Sequence, residues 1–468
     1  MALTPSAKKK LFSGAIVGTI TVALFFSSAV RDVASAARDT YESLETFANI
    51  INIIQKHYVE EVSTDQLIQG AIDGMMMSLD PHSAYLTPEL YKELQVDTKG
   101  SFGGLGIEIT IRDEMLTIIA PIEDTPAFKA GVKPGDQIIK INGELTKGMS
   151  LMKAVSMMRG PKGSAVALTL RREDLPEPFD VSIMREIIRV KSVKDAKLYE
   201  NKYGYVRVAQ FQEGTSRELT EALHRLDQQA GGHIEGEILD LRHNPGGLLN
   251  EAVKVSDLFL DAGLIVYTEG RGENQKQRFL AHNEGTEPNR PMVVLVDEGS
   301  ASASEIVAGA LQDHKRAVIV GTTTFGKGSV QTILPLDHES ALRLTTARYY
   351  TPAGRSIQAK GIEPDVVVER VVRVAKASLG GGAGGGFSVR EHDLRGHMKN
   401  NKGEEEEEPA HEQPVTEQIA SDVAPGGESQ SDPQLERALD LLKTWNVFSR
   451  FQEEGLAPLA DSSAAAPQ

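Results

Sequence analysis

Cysteine is absent from this 468-residue chain, which excludes disulfides, thiolate metal sites and a cysteine nucleophile. A surplus of positive charge is also lacking: 66 Asp and Glu against 50 Lys and Arg leave a formal net charge of -16. Phosphate recognition depends on clustered cations, so nucleic acid is not an expected partner. No two-histidine helical spacing or carboxylate cluster indicates a metal, no internal repeat is present, and neither a metal nor another cofactor is expected. What is present begins at the N-terminus, where Lys8, Lys9 and Lys10 precede an uncharged stretch from Leu11 to Val30. That order is the one found in export signals, and Ala34-Ser35-Ala36 offers a cleavage site. The same stretch is long enough to cross a bilayer, so residues 1–36 are a signal peptide or an uncleaved membrane anchor. Either way the protein is expected in the cell envelope, periplasmic or on the extracytoplasmic face of the inner membrane.

Hydrophobic residues make up 40% of the chain and charged ones 25%, ordinary values for folded domains, and the length calls for two or three of them. Leu44, Phe47, Ile51, Ile54 and Tyr58 recur at steps of three and four, so residues 37–97 are read as a helical region with one apolar face. A second helix from about Asp65 to Leu79 is expected to pack on that face. From Ser101 the period falls to two: Ile107, Ile109 and Ile111 alternate with Glu108, Thr110 and Arg112, the mark of a half-buried strand. Turns at Pro134-Gly135-Asp136 and Asn142-Gly143, a helix over Ser150 to Met158 and a strand over Val166 to Leu170 complete a small β-rich module. This succession, with Phe102-Gly103-Gly104-Leu105-Gly106-Ile107 ahead of the first strand, resembles a PDZ domain over residues 98–185. A glycine-rich turn entering a strand can aim backbone N–H groups at a carboxylate, and the strand beside it can pair with an extended peptide. Phe102, Gly103, Gly104, Leu105, Gly106 and Ile107 are therefore candidate peptide-binding residues, with Leu105 or Ile107 lining the pocket for the last side chain.

Between residues 186 and 376, apolar runs at Ile238 to Leu241, Met292 to Val296 and Ala317 to Val320 alternate with helical stretches near 216–230, 250–258 and 304–311. The alternation means an α/β core. The run Gly380 to Gly386 and the acids Glu404 to Glu408 give residues 377–430 the composition of a flexible acidic linker. Asp432-Pro433, an N-cap followed by proline, opens a last helix in residues 431–468 that buries Leu435, Leu439 and Leu442.

The segment Asp297-Glu298-Gly299-Ser300-Ala301-Ser302-Ala303-Ser304-Glu305 follows a buried strand and opens a helix, where α/β enzymes expose reacting groups. Ser302 to Glu305 also fits a helix capping box, and the two readings are compatible. Further along stand Gly326-Lys327-Gly328 and Gln331. The Gly321 to Ser329 stretch is not a phosphate loop, because Gly328 occupies the position of the metal-binding hydroxyl. Together with Asp240-Leu241-Arg242-His243-Asn244-Pro245-Gly246-Gly247, these motifs resemble the carboxy-terminal processing, or tail-specific, protease family of serine peptidases, S41. The resemblance implies an α/β protease core of the ClpP/crotonase-like kind with an inserted PDZ domain. It implies Ser302 as nucleophile, Lys327 as general base and Gln331 as the residue orienting the lysine. It further implies the Gly246 and Ala303 N–H groups as oxyanion hole, and Arg159 as a link between peptide binding and the active state. A Ser-His-Asp triad using Asp240, His243 or His314 stays open on the residues alone. So do two other functions, a PDZ scaffold with an inactive core and a crotonase-like enzyme that is not a peptidase. Expected partners are polypeptides with free C-termini, with an adaptor protein and a homo-oligomer as further possibilities.

Overall fold

The computed structural model describes residues 41–112, 114–272, 275–337, 339–369, 389–400 and 432–455. The expected export segment 1–36, the glycine run and the Glu404 to Glu408 run lie outside the described residues. No helix among the described residues is long and apolar enough to cross a membrane.

Two units are present, divided after Ser78. The first holds α1 (residues 41–57) and α2 (Thr64–Met77). Ser63 starts α2 through a capping box, its backbone N–H donating to Gln66 Oε1 at 3.1 Å. Leu44, Phe47 and Tyr58 of the expected apolar face are exposed, and no residue of α2 is buried. The two helices thus do not enclose a core of their own, contrary to the packing expected from periodicity. Helical period identifies which residues share a face but not what covers them.

The second unit opens with β1 (Ala84–Leu86) and α3 (Pro88–Lys99), so the region expected to be helical up to residue 97 already contains a strand. A three-residue strand carries almost no periodicity, and β1 is defined by its tertiary partner, as shown below. β2 (Ser101–Gly104) leads into a five-strand antiparallel path ordered β3 (Ile107–Arg112), β4 (Met115–Pro121), β5 (Gln137–Ile141), β7 (Ala165–Arg171) and β8 (Phe179–Met184). The short β6 (Glu144–Leu145) pairs with β5, and α4 (Pro126–Lys129) and α5 (Leu151–Met158) close the module. Leu105, Ile118, Ile138, Ile141, Val166, Leu168 and Leu170 form its core. β9 (Glu186–Arg189) returns to pair with β2, tying entry and exit of the module together.

The following core is built on a buried sheet ordered β10 (Val193–Tyr199), β11 (Tyr203–Val208), β12 (Gly236–Asp240), β15 (Met292–Val296), β16 (Val318–Gly321) and β19 (Val366–Val367). From β11 to β19 all pairs are parallel. Every residue of β12 and β15 is buried, as expected of strands covered on both faces. α6 (Thr215–Gln229), α7 (Leu249–Asp257) and α8 (Ala303–Asp313) pack on one face around Leu219, Val255, Val294, Ile306 and Ile319. α9 (Pro433–Gly455) covers the other through Ala438 and Leu442, with Leu435 and Leu439 partly buried beside them. Asp432 at its start is gripped by Arg242, whose Nη1 donates to Asp432 Oδ1 at 2.9 Å. A second, antiparallel sheet orders β1, β18 (Ala341–Tyr350), β13 (Gly263–Gly270) and β14 (Gln277–Ala281), with β17 (Ser329–Pro335) also paired to β18.

Residues 389–400, read from composition as part of a linker, are a folded segment with one 3₁₀ turn (Glu391–Asp393) and a fully buried Glu391. The glycine and acidic runs on either side dominate the composition and hide a stretch held by specific hydrogen bonds.

Candidate active site

Three loops at the carboxyl ends of parallel strands meet at Ser302, where ligand sites of open α/β sheets are found. A cleft of about 870 Å³ lies at the opposite ends of β15 and β16, around Met292, Ala317 and Trp445. The loop after β12 is centred on Asn244, which is fully buried. Its Nδ2 donates to Val208 O at 2.8 Å, and its O accepts from Ala301 N at 3.0 Å and Ser304 Oγ at 2.9 Å. The side chain of this residue thus ties the ends of β11 and β12 together, while its backbone carbonyl holds the turn that carries Ser302.

That turn is sharp. Ser302 has φ 54° and ψ -109°, a backbone region costing an L residue about 1–3 kcal/mol. The same strand-to-helix geometry presents nucleophilic serines in other α/β enzymes. A Cβ on Gly246 would come within 2.7 Å of Ala301 O and 2.9 Å of Ala303 N and Ser302 Cβ, so only glycine lets this loop press on Ser302. In this conformation the Gly246 N–H donates to Asn244 Oδ1 at 2.9 Å, which corrects the expectation that it stands ready as an oxyanion donor. The short side chain two residues back competes for it, as Asn does in tight turns. Ala303 is the first residue of α8, where helix N–H groups have no intrahelical acceptor.

Glu305 binds the site together. Its carboxylate is wholly buried and takes four donors: Ser302 N at 2.7 Å and Lys327 N at 2.9 Å on Oε2, Gly326 N at 2.7 Å and Thr324 Oγ1 at 2.5 Å on Oε1. Burial pushes this carboxyl up to about 7, with the Thr324, Gly326, Ser302 and Lys327 bonds pulling the other way. The capping-box spacing made the Ser302 contact legible in the sequence. The contacts to 324–327 were not, because nothing in local pattern reports a partner about twenty residues away.

Lys327 is half-buried. Burial holds its ammonium below the ordinary lysine range and Arg343 adds to this, while Glu391, Glu305 and Asp80 oppose it. Gln331 lies in β17 opposite Thr345, past a register shift at Val330, and its Nε2 donates to Ser329 Oγ at 2.9 Å and Thr345 Oγ1 at 3.4 Å. Its amide nitrogen thus serves Ser329 and Thr345, and an orienting role toward Lys327 would fall to its amide oxygen. Tyr349, unnoticed in the sequence because it sits in an unremarkable strand, is buried beside the serine. Burial pushes its phenol up to about 12, and a hydrogen bond with the Ser302 side chain works against that shift.

The histidine alternatives do not assemble around Ser302. His243 Nε2 lies 3.2 Å from Asp297 Oδ2, yet the serine touching Asp297 is Ser300, whose Oγ donates to Leu241 O at 2.8 Å. Asp240 bonds Tyr205 and Arg242, and His314 Nε2 lies 2.7 Å from Leu264 O.

In the β-rich module, Phe102, Gly103 and Gly104 belong to β2 and pair in register with Ile188, Ile187 and Glu186. They are strand residues, not an open N–H nest. Leu105 is 2% exposed and packs in the module core, with its O accepting from Ala127 N at 2.9 Å. Its side chain is thus structural and does not line a ligand pocket. Gly106 has φ 77°, and its O accepts from Ile122 N and Thr125 Oγ1. Ile107 begins β3, which is an edge strand of its sheet. Arg159 ends α5, lies 4.7 Å over the Phe102 ring and reaches to 4.0 Å from Glu93 Oε1 on α3, so it joins the helix of this module to the segment entering from the core.

The sequence matches the family descriptions "Peptidase family S41" over residues 202–368, "PDZ domain" over 93–171 and "Activating protease CtpB N-terminal domain" over 25–89. It is 47% identical over 363 residues to a carboxy-terminal-processing protease of Bartonella bacilliformis, a match covering 77% of this chain and 82% of that protein. The chain belongs to peptidase family S41. It is a serine-type peptidase whose α/β core carries a PDZ domain. The carboxy-terminal processing protease CtpA of Bacillus subtilis is 40% identical over 317 residues, 68% of this chain and 67% of that protein. A carboxyl-terminal-processing protease of a Synechocystis strain is 41% identical over 307 residues, 64% and 70% of the respective chains.

Proposed function

We propose that this S41 peptidase is an endopeptidase with a Ser302/Lys327 dyad that cleaves exported polypeptides selected by their C-termini. The observation that carries the reading is the shared Glu305 carboxylate, which holds the backbones of both residues, with Lys327 in surroundings that favour the neutral amine. Neutral Lys327 takes the Ser302 Oγ proton as that oxygen adds to the scissile carbonyl. The resulting ammonium returns the proton to the departing amine, leaving an acyl-serine. Water then repeats both transfers and frees Ser302. The carbonyl oxygen becomes anionic in each half, and the N-terminus of α8 at Ala303 favours negative charge there. The Gly246 N–H can add a second donor once it leaves Asn244 Oδ1.

Substrate selection belongs to the PDZ domain. Its edge strand β3 offers an unpaired side to an extended peptide, and the Leu105 to Ile107 turn lies at the start of that strand, where a terminal carboxylate would sit. Arg159 passes occupancy of the module toward the core, a reading supported by its stacking on Phe102 and its 4.0 Å approach to Glu93. The basic and uncharged N-terminal sequence supports export to the cell envelope.

The test is hydrolysis of one unstructured polypeptide ending in an apolar residue, prepared as the free acid and as the amide. The acid form should show a kcat/KM about tenfold higher or more, because hydrogen bonds to a charged group contribute about 1.5–3 kcal/mol. Ser302→Ala should cleave neither form. Cleavage by Ser302→Ala would refute the nucleophile, and equal rates on acid and amide would refute C-terminal selection.

A further inference from the structure

Glu391 reaches the active-site layer from the far end of the chain. It is fully buried, and its segment is connected to β19 through residues outside the described ones. Its backbone N–H donates to Phe325 O at 3.2 Å. Its Oε1 accepts from Gln358 Nε2 at 2.8 Å, and Gln358 Oε1 in turn accepts from Gly328 N at 3.0 Å. Phe325 and Gly328 flank Gly326 and Lys327, so Glu391 holds the lysine loop from both ends. Oε2 lies 2.7 Å from His82 Nε2, and the turn carrying His82 is fixed in its own right. Asp80 Oδ1 accepts from His82 N and Ser83 N at 2.8 Å each, and Arg343 Nε donates to His82 O at 2.9 Å. Burial alone would raise the Asp80 carboxyl, but its bonds from Ser83, His82 and Thr345 hold it below the usual carboxylate range.

We propose that Glu391 is a positioning residue for the peptidase reaction: a buried anion, supplied by the C-terminal segment, that fixes the Phe325 to Gly328 loop and sets the charge around Lys327. This rests on the Lys327 base assigned above. A general base must keep its nitrogen within hydrogen-bond reach of the serine, and a loop of Gly326-Lys327-Gly328 has little stiffness of its own. The clamp through Gln358 supplies it. The charged groups that act on Lys327 are Arg343, which disfavours its ammonium, and Glu391, Glu305 and Asp80, which favour it, with His82 Nε2 2.7 Å from the Glu391 carboxylate itself.

The experiment uses the full chain with Glu391→Gln and Glu391→Ala, reading kcat and KM separately across pH, beside Lys327→Ala. Glu391→Gln keeps the shape but removes the charge, so less holds the proton on Lys327. The acid limb of kcat/KM should then move to lower pH by about half a unit or more. Glu391→Ala removes the arm of the clamp that runs through Gln358 and keeps the backbone bond to Phe325, and kcat should fall by about tenfold or more with KM within about threefold. A purely structural Glu391 would leave the limb where it is. If Glu391→Gln gives a profile superimposable on the wild type, the proposal is overturned, and this holds even if Glu391→Ala fails to fold. Lys327→Ala separates the two claims: activity in that variant defeats the dyad, whereas an inactive Lys327→Ala with an unmoved Glu391→Gln profile defeats the role of Glu391 alone.

Discussion

Replacing Glu305 by glutamine removes one acceptor oxygen from a buried site with four donors, and the geometry limits how the amide can respond. With its NH₂ toward Ser302 and Lys327, two backbone N–H groups face another N–H. With its NH₂ toward Thr324 and Gly326, the Thr324 hydroxyl can turn to accept and only the Gly326 N–H loses its partner. The second arrangement is the better one, and a buried N–H without an acceptor costs about 1–3 kcal/mol. Glu305→Ala strands all three N–H groups, so a loss of about 3 kcal/mol or more is expected. Gly326 adjoins Lys327, so the strain lands on the proposed base, and a misplacement of about 1 Å lowers rates by about a hundredfold. For Glu305→Gln the expected result is a kcat reduced about 10- to 100-fold with KM within about threefold. The urea midpoint, followed by circular dichroism, should drop by an amount matching about 1–3 kcal/mol. A variant with wild-type kcat and midpoint would show that the shared carboxylate neither holds the site nor stabilises the core.

Lys327 carries the opposite expectation for stability. Its depressed pKa in the folded chain means that the ammonium is disfavoured there, a cost present below the folded pKa and relieved only as pH rises toward the unfolded value of about 10.4. Lys327→Met should therefore abolish hydrolysis while raising stability at neutral pH by about 1 kcal/mol, a modest figure because the side chain is only half-buried. A clear loss of stability in Lys327→Met would mean that the ammonium is well paired in the native state, and the environment described for it would be wrong.

The regular elements were legible because their cause is local. Alternation over Ile107 to Arg112 marks β3, the apolar run Met292 to Val296 marks β15, and Ser302 through Glu305 announces the start of α8. The site was legible to the extent that it is made of turns: Asn244-Pro245-Gly246 and Gly326-Lys327-Gly328 carry glycines where φ is positive or backbones crowd. What could not be read were contacts between distant segments. Glu305 and Gly326, Gln331 and Thr345, and His82 and Glu391 meet only once the sheets are assembled, and no local period records such pairs. Leu105 illustrates a second limit. An apolar residue in a glycine-rich turn looks the same whether it lines a pocket or fills a core, and burial in the PDZ domain decides for the core.

The dyad itself is tested most directly by labelling with a peptidyl electrophile that acylates active-site serines, followed by peptide mass spectrometry. One adduct on Ser302 is expected, forming faster as pH rises through the depressed pKa of Lys327. Lys327→Arg should form almost none, because arginine stays protonated at every accessible pH. An adduct on another serine, or labelling of Lys327→Arg at the wild-type rate, would contradict a Ser302/Lys327 dyad.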